Sequence, residues 1–213
     1  MPLTVHALTT LQAVKDELGI MDSSKDSVLE RLINAASEAI EQYCGRHFEY
    51  EQGVQETLAG TGGSRLVLSR IPVRAVTSVT VSGMPLDDYV VEDPKAGILY
   101  RGAGWPWTAR AWAGFISQDP LIGTESRDIV VTYDAGFVTP QQEADSGGTL
   151  TRDLPHAVEE ACILTVVTWY LNRGENLSIT SEGLAGVWVR YDRSVLPQPA
   201  RELLAPYKRL VMA

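Results

Sequence analysis

The side chains best suited to chemistry are three histidines, His6, His47 and His156, and two cysteines, Cys44 and Cys162. They do not combine into the paired Cys and His spacings of a structural zinc site, so no metal is expected. His156 follows Asp153 closely enough for an acid–base pair. At the start of a helix, however, such a pair more simply caps the helix and keeps its end polar. Gly60-Thr61-Gly62-Gly63-Ser64 has the composition of a phosphate cradle but lacks the Lys and hydroxyl that follow in a P-loop, and it stands between two strand-like runs. A hairpin turn is the better reading. Neither a nucleophile elbow nor a dinucleotide fingerprint occurs, so no catalytic residues and no cofactor are expected and the chain reads as a non-enzyme.

Aromatic chemistry is the remaining candidate. Trp105, Trp107 and Trp112 fall within eight residues of one another among Gly, Pro and Ala. Tryptophans so placed can stack on a ligand or anchor a partner. Packing at the end of a sheet or between subunits is the simpler reading, with a small-ligand or carbohydrate-binding module as the alternative.

Among the elements that must position these side chains, residues 153–174 stand out. Asp153 and Pro155 mark a helix start, Gly174 marks a stop, and no charge occurs from Ala161 to Leu171. Ile163, Leu164, Val166, Val167, Trp169 and Leu171 cover most of the circumference, whereas a surface helix needs a single apolar stripe. The run is too short to cross a bilayer, which takes roughly 20 apolar residues. It is therefore either the central rod of the fold or is covered in part by another copy of the chain.

Before it, Thr9 or Thr10 opens a short helix closed by Gly19, with Thr9 and Gln12 at capping-box spacing. A second helix follows, with Ser27 and Glu30 at the same spacing; Leu29, Leu32, Ile33, Ala36, Ile40 and Tyr43 form a stripe, and Gly45 ends it. The period then shortens to two. Strands are expected at 56–58, 65–68, 75–81, 89–92, 98–101 and 129–133, joined by turns at Ser82-Gly83 and 93–97 and therefore antiparallel. Residues 139–151 read as a polar, glycine-bearing loop, 187–191 as an extended segment, and 200–210 as a final helix interrupted by Pro206. The fold class is α+β: a small helical bundle, made of the N-terminal helix pair, the central apolar helix and a C-terminal helix, with an inserted antiparallel β-sheet or sandwich. The corresponding divisions are 1–50, 51–138, 139–152, 153–174 and 175–213.

The 213 residues carry a net charge of −9, which argues against binding nucleic acid by neutralising phosphates but not against a wall past which DNA slides. Both cysteines sit in apolar helical patterns and behave as small hydrophobes. The N-terminus lacks the basic start and apolar run of a signal peptide, so synthesis in the cytosol and no membrane association are expected.

Taken in order, several motifs resemble the head–tail connector (adaptor) family of tailed bacteriophages. They are Tyr43-Cys44-Gly45-Arg46, Ile71-Pro72-Val73, Val76-Thr77-Ser78-Val79, Val131-Thr132-Tyr133-Asp134-Ala135-Gly136, Leu154-Pro155, Tyr170-Leu171-Asn172-Arg173, and the Leu-Leu-x-x-Tyr-Lys-Arg run from Leu203 to Arg209. The resemblance implies a structural virion protein, made in the host cytoplasm and placed at the neck. There it would form a homo-oligomeric ring of about 12 copies between the portal protein and the stopper or tail-completion protein, lengthening the DNA channel. On that reading Leu164, Val167, Trp169, Tyr170 and Leu171 are expected at the subunit interface. Leu203, Leu204, Tyr207, Lys208 and Arg209 are expected to dock on the portal. Trp105, Trp107 and Trp112 form a possible partner-contact loop.

Overall fold

A computed structural model of the chain describes residues 2–106, 129–174, 181–184, 187–190 and 195–209. The chain divides into two compact units. One combines Met1–Glu49 with Phe137–Ala213, and the other, Tyr50–Gly136, is inserted between those two parts.

The first unit is helical. Helices α1 (Leu11–Leu18) and α2 (Asp26–Cys44) come from its N-terminal part; α3 (Pro140–Asp145), α4 (His156–Leu171) and α5 (Gln198–Leu204) come from its C-terminal part. Thr10 caps α1 through a bond from the Ala13 amide, and Gly19 and Gly45 end α1 and α2 in the left-handed conformation that costs a glycine least. Two expected capping boxes are absent. Thr9 is instead buried, its hydroxyl 3.5 Å from Glu159 Oε1, and α2 begins at Asp26, ahead of Ser27, with no side-chain cap. The core gathers Val14 from α1, Leu29, Ile33, Ala36 and Ile40 from α2, Val158, Ala161, Cys162 and Val166 from α4, and Ala200 and Leu204 from α5. Each large aliphatic among them contributes about 1.5–3 kcal/mol by leaving water. Ser37 of α2 meets Cys162 of α4 at 3.7 Å and also accepts the Leu8 amide, so the one polar group at this contact is satisfied.

Three segments of this unit differ from expectation. Residues 139–151 are not all loop, because Thr139 and Gln142 form a reciprocal capping box and Pro140 starts α3. Asp153 does not cap α4. Its Oδ1 accepts the Val138 amide at 2.7 Å, and Pro155 stands at the N-cap instead. Within residues 175–190, strands β8 (Ser181–Leu184) and β9 (Val187–Arg190) pair as an antiparallel hairpin.

The second unit is built of strands β1 (Glu51–Leu58), β2 (Arg65–Val67), β3 (Val73–Val81), β4 (Met84–Pro85), β5 (Val90–Asp93), β6 (Ile98–Tyr100) and β7 (Ile129–Ala135). They form a four-stranded sheet in the order β1-β7-β3-β4 and a three-stranded sheet in the order β2-β6-β5, with every pairing antiparallel. Strand β7 alternates strictly, turning Ile129, Val131, Tyr133 and Ala135 inward. Val76 and Val79 of β3, three apart, reach the same core because a register shift falls between Val76 and Ser78. The 60–64 segment does not turn a hairpin, since β1 and β2 belong to different sheets. Its glycines serve a close approach instead. A Cβ at Gly60 would lie 1.9 Å from the Pro106 carbonyl oxygen, and the Trp105 amide bonds to Gly63 O at 2.8 Å.

Candidate functional site

Helix α4 lies against α1, α2 and α5, and this decides which of its apolar residues are free. Val158, Ala161, Cys162, Thr165 and Val166 are buried inside the helical unit. Ile163, Trp169 and Tyr170 pack partly against the same core, and the Trp169 indole N–H donates to Val195 O at 3.0 Å. Tyr170 lies beneath the Arg173 guanidinium, 3.8 Å from its ring centre. Leu164, Val167 and Leu171 are on the other side. They follow Glu160 at steps of four, three and four residues and so share one face, and they are absent from the core. Leu164 and Val167 are half-buried, whereas Leu171 is 65% exposed. The five expected interface residues thus divide, with three on an outer stripe and two leaning on their own core. Nothing local could have separated them in the sequence, because a helix apolar on every side carries no rotational mark.

The C-terminal residues are also placed. Leu204 is fully buried in the helical core, and Leu203 and Tyr207 pack against it, Tyr207 meeting the Phe48 ring edge-on at 6.4 Å. Pro206 starts no new α-helix; the chain tightens into a 3₁₀ turn over Ala205–Tyr207. Lys208 and Arg209 are exposed, with the Lys208 ammonium 3.8 Å above the Tyr43 ring and the Arg209 amide bonded to Cys44 O at 2.8 Å. The tail beyond α5 therefore runs back along the end of α2.

Trp105 is 2% exposed, part of the β-unit core and 6.3 Å from the Tyr89 ring. A ring so enclosed presents no face for a ligand to stack on, so Trp105 lends no support to the carbohydrate- or small-ligand-binding reading. Trp107 and Trp112 lie outside the described residues.

Polar groups that could suggest catalysis are structurally engaged. Arg152 forms an ion pair with Glu159 and donates to His156 Nδ1 at 2.6 Å, so His156 faces an arginine and not Asp153. In the β unit the Tyr133 hydroxyl donates to Glu56 Oε2 at 2.7 Å and accepts the Arg70 amide, while Ser69 donates to the same carboxylate through both its amide and its hydroxyl. Burial, then the facing Glu56, push the Tyr133 phenol upward, so it stays a neutral donor. At the end of α2, burial and the neighbouring Glu49 hold the Glu41 carboxyl well above the ordinary carboxylate range. No helix among the described residues is long and apolar enough to cross a membrane.

An α+β chain whose central helix keeps an apolar stripe outside its own core has a surface of the kind that structural assembly proteins bury between copies. The head completion protein family matches residues 7–210, and this chain belongs to that family. It is a structural head–tail connector. Among solved structures, the neck of an empty gene transfer agent particle computed with C6 symmetry is similar at 17% identity and a TM-score of 0.55, covering 100% of this chain and 95% of that chain. The neck of the native particle computed with C12 symmetry is similar at 18% identity and a TM-score of 0.53, covering 100% and 94%. The virion of the native gene transfer agent particle is similar at 16% identity and a TM-score of 0.56, covering 100% and 95%. At such identities the likeness is one of fold. No curated protein matches the chain.

Proposed function

We propose that copies of this chain assemble into a ring of about twelve at the neck of a virion, beneath the portal protein and above the stopper or tail-completion protein. The ring carries the DNA channel onward and is non-enzymatic. One observation carries the reading: the stripe of Leu164, Val167 and Leu171 on α4, apolar and outside the helical core. A ring needs a heterologous contact repeated by each copy, and an uncharged helix face suits it. The C12 symmetry with which one similar neck was computed supports closure at that count. Net charge of −9 suits a wall past which DNA slides, since it offers the phosphates little to hold.

For the portal contact we propose the C-terminal segment. Leu204 anchors it in the core, leaving Lys208 and Arg209 exposed as the docking charges, with Leu203 and Tyr207 half-buried beside them. The test is co-expression with the portal protein of the same genome, followed by negative-stain imaging. A second ring stacked on the portal is expected. A lone portal beside folded, free monomer would overturn the reading.

A further inference from the structure

Three segments, the first of them far from the other two in the sequence, bring an imidazole and two carboxylates together at one end of α2. The first is the N-terminal stretch before α1. It is held to the helix by Asn34, whose Oδ1 accepts the Thr4 amide at 3.0 Å and hydroxyl at 3.2 Å, and by Ser37 beneath Leu8. This places His6 against α2. The second is the last turn of α2, which supplies Glu41. The third is the segment beyond Gly45, where the left-handed turn sends the chain back past Glu41. The Phe48 amide donates to Glu41 Oε1 at 3.2 Å, and His47 and Glu49 arrive on either side of it.

The distances are short. His6 Nδ1 lies 3.1 Å from Glu49 Oε1, and His47 Nδ1 lies 3.0 Å from Glu41 Oε2 and 3.9 Å from Glu49 Oε1. One donor atom from each of His6, Glu41 and Glu49 falls within 4.8 Å of the others. Ligands bonded to a tetrahedral zinc at about 2.0–2.2 Å stand about 3.3–3.5 Å apart. Closing on an ion therefore asks for only small rotations, and the His6 ring, 52% exposed, has room to make them.

We propose that His6, Glu41 and Glu49 bind a divalent transition-metal ion, best matched by zinc, with His47 at the rim of the site. Mixed imidazole and carboxylate donors select such ions, whereas calcium and magnesium take oxygen alone. Three protein ligands leave one position for water or His47. The Glu41 and Glu49 side chains are 11% and 3% exposed, and a divalent cation would let both carboxyls ionise side by side at a place where water screens poorly. Bound there, the ion ties the N-terminal stretch, the end of α2 and the segment leading to Glu49 into one joint. Its ligands lie too far apart in sequence to form a local motif.

The test uses the full chain, freed of metal by dialysis against EDTA and titrated with zinc chloride by calorimetry, with thermal melting in parallel. Expected are saturable binding of one zinc per chain and a rise in Tm. His6→Ala and Glu41→Gln should each weaken binding by at least about tenfold, the scale of losing even a supporting contact at a metal site. His156→Ala, at a histidine paired with Arg152, should change nothing. No saturable binding, or equal weakening by His156→Ala and His6→Ala, overturns the proposal and leaves two imidazole–carboxyl contacts. The His6 variant removes an exposed side chain and stays readable even where Glu41→Gln fails to fold.

Discussion

Helices α2 and α4 share a core and have opposite outsides. On α2 the residues turned from the core are Arg31, Ala35, Glu38 and Gln42, all exposed. On α4 the equivalent positions, at the same steps of four, three and four, are Glu160, Leu164, Val167 and Leu171. The inner faces are interchangeable in character: Leu29, Ile33, Ala36 and Ile40 on one, Val158, Ala161, Cys162 and Val166 on the other. What a helix does for the fold is thus written on its inner face, and its outer face is left to solvent or to a partner. A solvated outer face ends the protein at that surface. An apolar one leaves an area whose burial by a neighbour is favourable at roughly 25 cal/mol per Å².

The sharpest way to break the comparison is to give α4 the outside of α2. Val167→Glu with Leu171→Glu should abolish the ring in co-expression imaging while circular dichroism and Tm of the monomer stay close to the parent. Rings of normal appearance would show that the stripe is not the interface. A core residue comes next. Ile33→Ala should lower unfolding free energy by about 2–5 kcal/mol in a urea titration, by lost burial and by the cavity left behind. The converse change, Glu38→Ala on the solvated face of α2, should alter stability by no more than about 0.5 kcal/mol and leave ring assembly intact.

The smallest effect concerns the two thiols, one from each helix. Burial pushes Cys44 up to about 11 and Cys162 up to about 12. A reagent that needs the thiolate should therefore modify neither in the native protein at about pH 8, and both after denaturation. Rapid labelling of Cys162 alone would mean that the α2–α4 contact opens in solution.

These two helices also mark how much was legible. The α2 stripe was readable because charge on one side fixes the rotation; Leu29, Ile33, Ala36 and Ile40 are all buried, as their spacing requires. On α4 the same reasoning recovers an apolar helix but not its orientation, so it does not separate Trp169, opposite the stripe, and Tyr170, on its flank, from Leu164, Val167 and Leu171. The strands of the β unit were readable from alternation, but not their order. Strand β7 inserts between β1 and β3 although both precede it in the chain, and no local pattern records a partner so distant. Helix α3 was hidden by Gly147 and Gly148, even though Thr139-Pro140 with Gln142 carried its start. The glycines of 60–64 resembled a turn because glycine answers equally to a bend and to two backbones in contact.

The interruption of the helical unit by Tyr50–Gly136 has a consequence for synthesis. On the ribosome, α1 and α2 emerge with their apolar stripes complete, but the helix that covers them follows only after the whole β unit has been translated. At roughly 5–20 residues per second that wait is on the order of ten seconds, far longer than a helix takes to form. During it the stripe of α2 stands open to any holding chaperone and to the same stripe on nascent chains of neighbouring ribosomes. The arrival of α4 closes that exposure and, in the same event, presents the apolar outer stripe of Leu164, Val167 and Leu171.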